Sequence, residues 1–289
     1  MFLVNANSQA DLENLIAEKA DSIILAPQTF SARQNSFLDN EQLADTVSRL
    51  HRHKIHAGIN LLKMLEEQEL EQTWEMMSFL KEIDADEIYI ADEGWIVPAE
   101  KYGMKDRLIY QPETLMVNGY DSSFYRNLGF KSVSMAHELT LDELKECAKV
   151  CPDIEVLIQG RYSWMSSRRK LISNYLAEID QKISPENSPE YFLIQEQKRT
   201  GRMPVVENEN GTVVFSDEPI CSYDEIEILR QSGIDRFRID TIFEDENYGA
   251  DQLRLYRQIL NHEDVSDDQK KGTDQLYSMK TVLRKDEAK

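Results

Sequence analysis

Residues 155–175 read Glu-Val-Leu-Ile-Gln-Gly-Arg-Tyr-Ser-Trp-Met-Ser-Ser-Arg-Arg-Lys-Leu-Ile-Ser-Asn-Tyr. The stretch begins as a short apolar strand, which breaks at Gly160, and continues with an aromatic pair, Tyr162 and Trp164, and a basic triplet, residues 168–170. A strand that ends in glycine and leads into a polar, aromatic and cationic loop is typical of a functional site carried on a scaffold. The alternative is a surface loop with a solvated basic run, and these residues alone leave both interpretations open.

Working outward from this stretch, short apolar runs alternate with helical patterns along the chain, and eight of these runs predict strands. Strands interleaved with helices predict a parallel sheet, and eight such units favour a closed (β/α)8 barrel over an open doubly wound sheet. Neither a Gly-x-Gly-x-x-Gly nor a Walker-type lysine loop occurs, which argues against a nucleotide-binding fold. The predicted strands are residues 2–4, 22–25, 55–59, 87–91, 107–110, 131–135, 154–158 and 237–239.

One segment interrupts the alternation before the last predicted strand. Residues 174–222 are too long for a simple connection between a strand and a helix. Two strand-like runs, residues 191–195 and 212–215, flank a turn pattern at residues 208–211. We therefore predict a small β insertion on the top face of the barrel.

The C-terminal tail, residues 261–289, is highly charged. Three apolar residues recur within it at helical spacing, namely Leu276, Met279 and Leu283, which predicts either a mobile helix or a disordered segment. The predicted domain organisation is a barrel over residues 1–260, which includes the insertion, followed by this tail.

Composition restricts the functional classes. A formal net charge of -20 disfavours a protein that binds nucleic acid unaided, because phosphate binding requires many Lys and Arg side chains. Three cysteines suit a reducing compartment and give no disulfide framework. No run approaches the roughly 20 apolar residues of a membrane span, and the N-terminus lacks the pattern of a signal peptide. We therefore expect a cytoplasmic protein without a membrane partner.

The spacing within residues 155–175 resembles the signature of peptidase family U32, the collagenase-like peptidases. That signature has Glu, a hydrophobic residue, Gly, two Cys, a second hydrophobic residue and Ser at fixed intervals. Ser163 and Lys170 stand where the family has its two Cys. The positions in register are Glu155, Leu157, Gly160, Ile172 and Ser173.

Further short matches in the same order extend the resemblance over residues 1–245. Each of these matches is weak alone, and their shared order supports the family assignment. They include residues 30–33, 92–94, 136–140, 196–199, 233–235 and 239–240.

The resemblance implies a barrel protein related to oxygen-independent hydroxylases that carry an iron–sulfur cluster on four Cys. Targets in that family include ribosomal RNA, the wobble uridine of tRNA, with prephenate implicated, and ubiquinone precursors, and some members act as pairs of related subunits. A cluster of this type needs four thiolate ligands, whereas Ser163 and Lys170 replace two of them and Cys221 is the one candidate survivor. The resemblance therefore implies a member that binds no cluster itself, with an iron–sulfur cluster on a partner subunit.

Candidate site residues come from the C-terminal ends of the predicted strands, where functional groups of (β/α)8 barrels lie. If they converge, their guanidinium groups match the geometry of a carboxylate or a phosphate; the alternative is that several cap helices or pair with one another. The substrate-binding candidates are Arg33, Asn60, Asp92, Gln111, Glu113, His137, Arg161, Tyr162, Arg168 and Arg169. The catalytic candidates are Glu138, Lys170 and Asp240.

We predict no metal site in this chain. His51, His53 and His56 lie close in sequence, but they span a helix end and a strand start without a suitable carboxylate, which is more typical of a basic helix terminus. No arrangement of a serine or cysteine nucleophile is visible either.

The first hypothesis for function is a partner subunit of a cluster-bearing U32 paralogue in hydroxylation of tRNA wobble uridine, with tRNA bound through the complex and a prephenate-like small molecule as a further ligand. The second is a stand-alone peptidase or hydrolase that acts through its carboxylates and Lys170. The third is a barrel that binds a metabolite without chemistry. Turnover by the isolated chain would favour the second, and tight binding without turnover the third.

Overall fold

A computed structural model of the chain describes residues 1–181, 192–195, 201–208 and 210–272. Its centre is a closed barrel of parallel strands, β1 to β7 and β13, in which β13 pairs with both β7 and β1. The eight predicted barrel strands are confirmed. The strands are β1 (Phe2–Asn5), β2 (Ser22–Leu25), β3 (His56–Leu61), β4 (Glu87–Ile90), β5 (Leu108–Tyr110), β6 (Ser132–Ser134), β7 (Ile154–Gly160), β8 (Ser163–Ser167), β9 (Phe192–Ile194), β10 (Met203–Asn208), β11 (Gly211–Phe215), β12 (Ile220–Cys221) and β13 (Arg236–Ile239).

Helices lie between the barrel strands, and several begin at a side-chain cap. Asp39 accepts a hydrogen bond from the backbone of Gln42 at 2.8 Å, and the Gln42 side chain accepts one from the backbone of Asp39 at 3.0 Å, which forms a capping box. The helices are α1 (Gln9–Ala17), α2 (Asn40–Arg52), α3 (Leu70–Glu82), α4 (Ile96–Tyr102), α5 (Gly119–Asn127), α6 (Leu141–Val150), α7 (Leu171–Glu178), α8 (Ile226–Gln231) and α9 (Tyr248–Leu260).

The interior of the barrel is partly apolar. Tyr89 on β4 is fully buried there, and a Cβ atom at Gly58 would lie only 3.1 Å from its ring. Glycine at this position of β3 therefore leaves the space that Tyr89 fills, as the close packing of a barrel interior requires. The buried members of this cluster are Leu3, Ile24, Leu62, Tyr89 and Ile109.

The rest of the interior is charged, and we call Glu87, Glu155, Arg236 and Arg238 the charge column. Both arginines lie on β13 two residues apart, so both point into the barrel. Arg236 contacts Glu87 at 2.9 Å and Glu155 at 3.3 Å, and Arg238 contacts Glu155 at 3.3 Å. The four side chains thus form a continuous row of buried ion pairs across β4, β7 and β13.

The two acids of the charge column differ in their pKa. Burial disfavours the charged form of Glu87, but Arg236 and Lys131 outweigh burial and hold the pKa of this carboxyl below its ordinary value. Burial raises the pKa of Glu155 although both arginines oppose it. The tyrosine hydroxyl of Tyr89 donates to Glu155 at 3.1 Å.

A small antiparallel sheet, in the order β8-β11-β10-β9, lies over the top of the barrel. The predicted insertion strands correspond to β9 and β11, although Tyr191 lies outside the described residues. The sequence interpretation of the segment after β7 as a loop is wrong, because residues 163–167 form β8. The strand was missed because it is a largely exposed edge strand, with Trp164 and Met165 each 45% exposed.

Strand β10 was missed for a second reason, namely Pro204 within it. A proline removes a backbone donor and argues against a central strand. Here Pro204 pairs only with Leu193 of β9, whereas pairing with β11 begins at Val205. The missing donor therefore interrupts no ladder between β10 and β11.

The chain after α9 returns to the carboxyl end of the barrel. The backbone of Lys271 donates to the Tyr223 hydroxyl at 2.9 Å, and its carbonyl accepts from the Gln159 amide at 2.7 Å. The predicted helical spacing at residues 276–283 lies outside the described residues. Within the part of the chain that the structure describes, no helix is both long and apolar enough to cross a membrane.

The first testable prediction concerns the charge column. Replacing Arg236 with Met should lower the free energy of unfolding by up to about 3–5 kcal/mol at neutral pH, since Glu155 then keeps only Arg238, and Glu87 only Lys131, as a cationic partner. The loss should shrink as the pH falls below the ordinary glutamate range, because protonation then neutralises both carboxyls. Urea unfolding at several pH values measures this.

Arg254→Met is the matched control, because Arg254 is half exposed and pairs with Glu18 and Asp251 on the surface. It should change the stability by no more than about 1 kcal/mol. Equal losses for the two variants would contradict the role given to the charge column.

Candidate functional site

Two hollows adjoin each other at the carboxyl end of the barrel. The polar pocket has a volume of about 10 Å³, enough for about one water molecule. The large cavity has a volume of about 720 Å³ and lies between the barrel mouth and the small sheet. The polar pocket is lined by Asn5, Arg33, Asn60, Leu62, Gln111, Glu113, Arg161, Ser163, Phe215, Arg238 and Asp240.

Glu113 is the central acid of the polar pocket. It lies 3.5 Å from Arg33 and 3.8 Å from Arg238, and it accepts a hydrogen bond from the Gln111 amide at 2.7 Å. Burial opposes its ionisation, but the two guanidinium groups outweigh burial and lower the pKa of Glu113 to about 2. This carboxylate is therefore charged at every physiological pH and holds Arg33 at the mouth.

The backbone at this end of the barrel is unusual. Phe30, Arg33, Glu113 and Phe243 all have positive φ angles between 59° and 71°, and all lie in loops that follow barrel strands. The other non-glycine residues with positive φ among the described residues come directly after helices, where a left-handed residue is an ordinary cap. Strained backbone in loops of a barrel mouth is typical of functional sites.

Asn60 fixes the loop that carries Arg33. Its side-chain amide donates to the carbonyl of Ala32 at 2.9 Å, and its side-chain oxygen accepts from the backbone of Ala32 at 3.3 Å. Asn60 is itself almost fully buried at the end of β3. It therefore positions the arginine through the backbone, as well as lining the pocket.

Asp240 follows β13 and is the titratable acid of the pocket. It lies 3.4 Å from Arg238 and accepts a hydrogen bond from the backbone of Ile242 at 3.0 Å. Burial raises the pKa of Asp240 to about 6, more than Arg238 and the backbone donor lower it. A carboxyl with this pKa can take up or release a proton near neutral pH.

Arg161 borders the same pocket at the end of β7. It pairs with Glu244 at 3.3 Å and donates to the carbonyls of Ser216 and Asp217. Arg161 therefore connects the barrel end to the turn after β11, and a negatively charged ligand would have to compete with these acceptors.

His137 and Tyr162 are buried behind the pocket. Their rings stack with centroids 4.3 Å apart. Burial lowers the pKa of His137 despite the nearby charges of Glu113 and Glu138, so the imidazole is neutral at pH 7. Neither ring is among the residues that line the two hollows.

The remaining candidates lie farther from the barrel axis. Asp92 and Arg168 line the large cavity, but Asp92 accepts backbone hydrogen bonds from Leu65 and Gly94, and Arg168 pairs with Glu66 at 2.8 Å. Three candidates have exposed side chains and line neither hollow, namely Glu138, Arg169 and Lys170. The structure therefore brings together six candidates around the polar pocket: Arg33, Asn60, Gln111, Glu113, Arg161 and Asp240.

Sequence reasoning missed Arg238 and Gln34. A signal for Arg238 was present, because the pattern Arg-Phe-Arg-Ile-Asp, residues 236–240, alternates charge across and on both sides of the predicted strand 237–239 and so places Arg236, Arg238 and Asp240 on one side. No sequence pattern distinguishes Gln34 from an ordinary loop residue.

The residues present do not fit a four-thiolate iron–sulfur cluster. The chain has three cysteines, and all three are buried. Cys147 and Cys151 pack in the outer core, where burial raises the pKa of both thiols, and Cys221 lies on β12. Ser163, where the family has a cysteine, lies 3.5 Å from Glu113. Within the described residues no group of three or more metal-ligating His, Cys, Asp or Glu side chains occurs.

The raised pKa of Asp240 generates a prediction about stability. A buried carboxyl whose pKa rises from 3.8 to about 6 on folding destabilises the folded state above pH 6 and has no such effect below pH 4. Replacing Asp240 with Asn should therefore stabilise the protein at pH 7.5 by about 3 kcal/mol. The gain should vanish at pH 4, as measured by denaturant unfolding; a variant less stable than wild type at pH 7.5 would contradict the assignment.

Comparison with known proteins gives several relatives. The chain is 25% identical over 296 residues to the tRNA hydroxylation protein P2 of Bacillus subtilis (strain 168), with 98% of this chain and 94% of that protein covered. It is 20% identical over 307 residues to the tRNA hydroxylation protein P of Escherichia coli (strain K12), with 90% and 67% covered. It is also 22% identical over 265 residues to the 23S rRNA 5-hydroxycytidine C2501 synthase of Escherichia coli (strain K12), with 90% of this chain and 39% of that protein covered.

Among solved structures, the U32 peptidase Mk0906 matches with a TM-score of 0.52 and 12% sequence identity, covering 84% of this chain and 93% of that chain. A likeness at this identity supports the barrel fold alone. The model of peptidase family U32 matches residues 7–286. Because this match spans nearly the whole sequence, the chain belongs to peptidase family U32.

Proposed function

We propose that this chain is a subunit of an RNA hydroxylation system that acts on the wobble uridine of tRNA, together with a U32 paralogue that carries an iron–sulfur cluster. The observation that carries the proposal is the match to a relative named tRNA hydroxylation protein P2, which covers 98% of this chain. Two further relatives have names that specify hydroxylated tRNA or rRNA.

The assignment of the cluster to a second subunit follows from the number and the positions of the cysteines in this chain. A four-thiolate cluster needs more cysteines than this chain has. Cys147 and Cys151 are buried in the outer core at the end of α6, whereas Cys221 is buried on β12. Ser163 keeps the position of one expected thiol beside Glu113 but offers only a hydroxyl. The redox centre is therefore assigned to the partner, and the expected location of the complex is the cytoplasm.

The contribution of this chain would be the barrel mouth. Glu113 holds the Arg33 side chain, and the Asn60 amide fixes the loop that carries it by donating to the carbonyl of Ala32. Asp240 can exchange a proton near neutral pH. A polar pocket of about 10 Å³ is too small for a dicarboxylate such as prephenate. A prephenate-like ligand would have to bind in the large cavity, where it would compete with the acidic partners that the lining cations already have.

No specific observation favours the rival peptidase or hydrolase. Such an enzyme would use Glu138, Lys170 and Asp240 together, but Glu138 and Lys170 are exposed and line neither hollow, whereas Asp240 is buried in the polar pocket. If the chain were a barrel that only binds a metabolite, its deletion would leave the hydroxylation of tRNA unchanged. The deletion experiment therefore also separates this alternative from our proposal.

The proposal is tested by deletion and co-purification. Deleting the gene should abolish the hydroxylated wobble uridine in tRNA, as measured by mass spectrometry of nucleosides. A tagged chain isolated without oxygen from its own cells should bring a cysteine-rich U32 paralogue with bound iron and sulfide. Unchanged modification after deletion, together with a chain that purifies alone, would refute the proposal.

Glu113 provides a site-directed test in the deletion strain. Glu113→Gln removes the charge that holds Arg33 and Arg238, so it should lower the level of hydroxylated uridine by about tenfold or more. Glu263→Gln is the control, since Glu263 is exposed after α9 and should restore wild-type levels. Full restoration by Glu113→Gln would show that the polar pocket does not serve the reaction.

A further inference from the structure

The large cavity has the size and walls of a site for a flat ligand. At about 720 Å³ it falls within the range of roughly 300–1,000 Å³ that is typical of small-molecule sites. Tyr110 and Tyr125 form one wall, with their rings stacked at 4.2 Å between centroids and 28° between planes. Phe124 at the rim is 58% exposed and packs edge-on against Tyr125, with 5.3 Å between the ring centroids.

The cations that line the large cavity already have acidic partners. A ligand with one or two carboxylates would have to displace a protein carboxylate from each guanidinium or ammonium group that it contacts. The electrostatics of the lining therefore disfavour a dianion and favour a neutral group. The pairs are Arg33 with Glu113 at 3.5 Å, Lys63 with Glu69, and Arg168 with Glu66 at 2.8 Å.

The Gln34 side chain differs from these paired cations. Its side chain lines the large cavity and is only 6% exposed, yet neither its amide nitrogen nor its amide oxygen has a hydrogen-bond partner. An unpaired buried amide costs about 1–3 kcal/mol of stability. Neither amide atom is accessible in this conformation, so the side chain must turn its amide toward the cavity before a ligand can supply the missing donor and acceptor.

We propose that the large cavity binds a single nucleobase turned out of its RNA, with Gln34 pairing to the edge of the base and the wall of Tyr110, Phe124 and Tyr125 contacting its face. A base edge presents an adjacent donor and acceptor, which a carboxamide matches, and extruded bases are held by edge hydrogen bonds and aromatic contacts. The inference rests on the proposed function, which makes uracil the expected base.

The test compares wild type with Gln34→Leu. Leucine has a similar size but cannot pair with a base, so it should weaken binding about tenfold or more. Because the native amide is unpaired, the same substitution should leave the melting temperature unchanged or raise it. Gln231→Leu makes the same chemical change at an exposed position on α8 and should affect neither property.

Two probes separate the sources of the base. Uridine 5′-monophosphate and an RNA stem-loop with an unpaired uridine are titrated into the full-length chain in complex with its co-purified partner subunit, because the net charge of -20 disfavours RNA binding by this chain unaided. Saturation-transfer NMR and calorimetry are the readouts. Binding of the stem-loop alone identifies an RNA nucleotide as the ligand, and equal binding of both identifies the base itself as sufficient. Absence of saturable binding of either probe to wild type would overturn the inference, as would unchanged binding to Gln34→Leu.

Complementation of the deletion strain distinguishes this inference from the proposed function. Loss of uridine hydroxylation with Gln34→Leu, but not with Gln231→Leu, supports both. Loss on deletion combined with full rescue by Gln34→Leu keeps the proposed function and refutes the role of Gln34. If deletion has no effect on tRNA, the proposed function fails, whatever the binding assay shows.

Discussion

The position of Arg238 between the barrel interior and its mouth, where it meets three carboxylates, is the constraint on which the rest of the structure depends. This guanidinium contacts Glu155 below it and lies within 4 Å of Glu113 and Asp240 above it. The buried ion pairs of the interior therefore end directly in the polar pocket. Because a buried charge without partners costs several kcal/mol, the fold and the pocket are energetically inseparable.

This connection explains why the family signature is retained in part. Glu155 is a member of the charge column, and Gly160 has a φ angle of 112° and leaves room for the carbonyl of Asp240, which would lie 2.2 Å from an added Cβ. Both residues thus serve the barrel itself. Ser163 and Lys170 occupy positions that the barrel does not constrain in this way, so the thiols of the family can be absent while the frame persists.

The sequence predicted the positions that the barrel constrains better than those that it does not. Each barrel strand is a short apolar run, and the ends of parallel strands converge in any such barrel, so the strands and six pocket residues were accessible from pattern alone. The small sheet was only partly accessible, since β8 is exposed and β10 contains Pro204. The exposure of Glu138, Arg169 and Lys170, and the isolation of the Gln34 amide, depend on tertiary packing that no local pattern encodes.

The order in which the barrel strands are translated determines when the charge column can form. Strands β4 and β7, which carry its two acids, emerge from the ribosome before β13, which carries both arginines and also closes the barrel onto β1. Until β13 is made, the nascent chain has two glutamates facing an unfinished interior and a first strand with one neighbour. The barrel should therefore remain unfolded during most of translation and fold cooperatively near the end of synthesis.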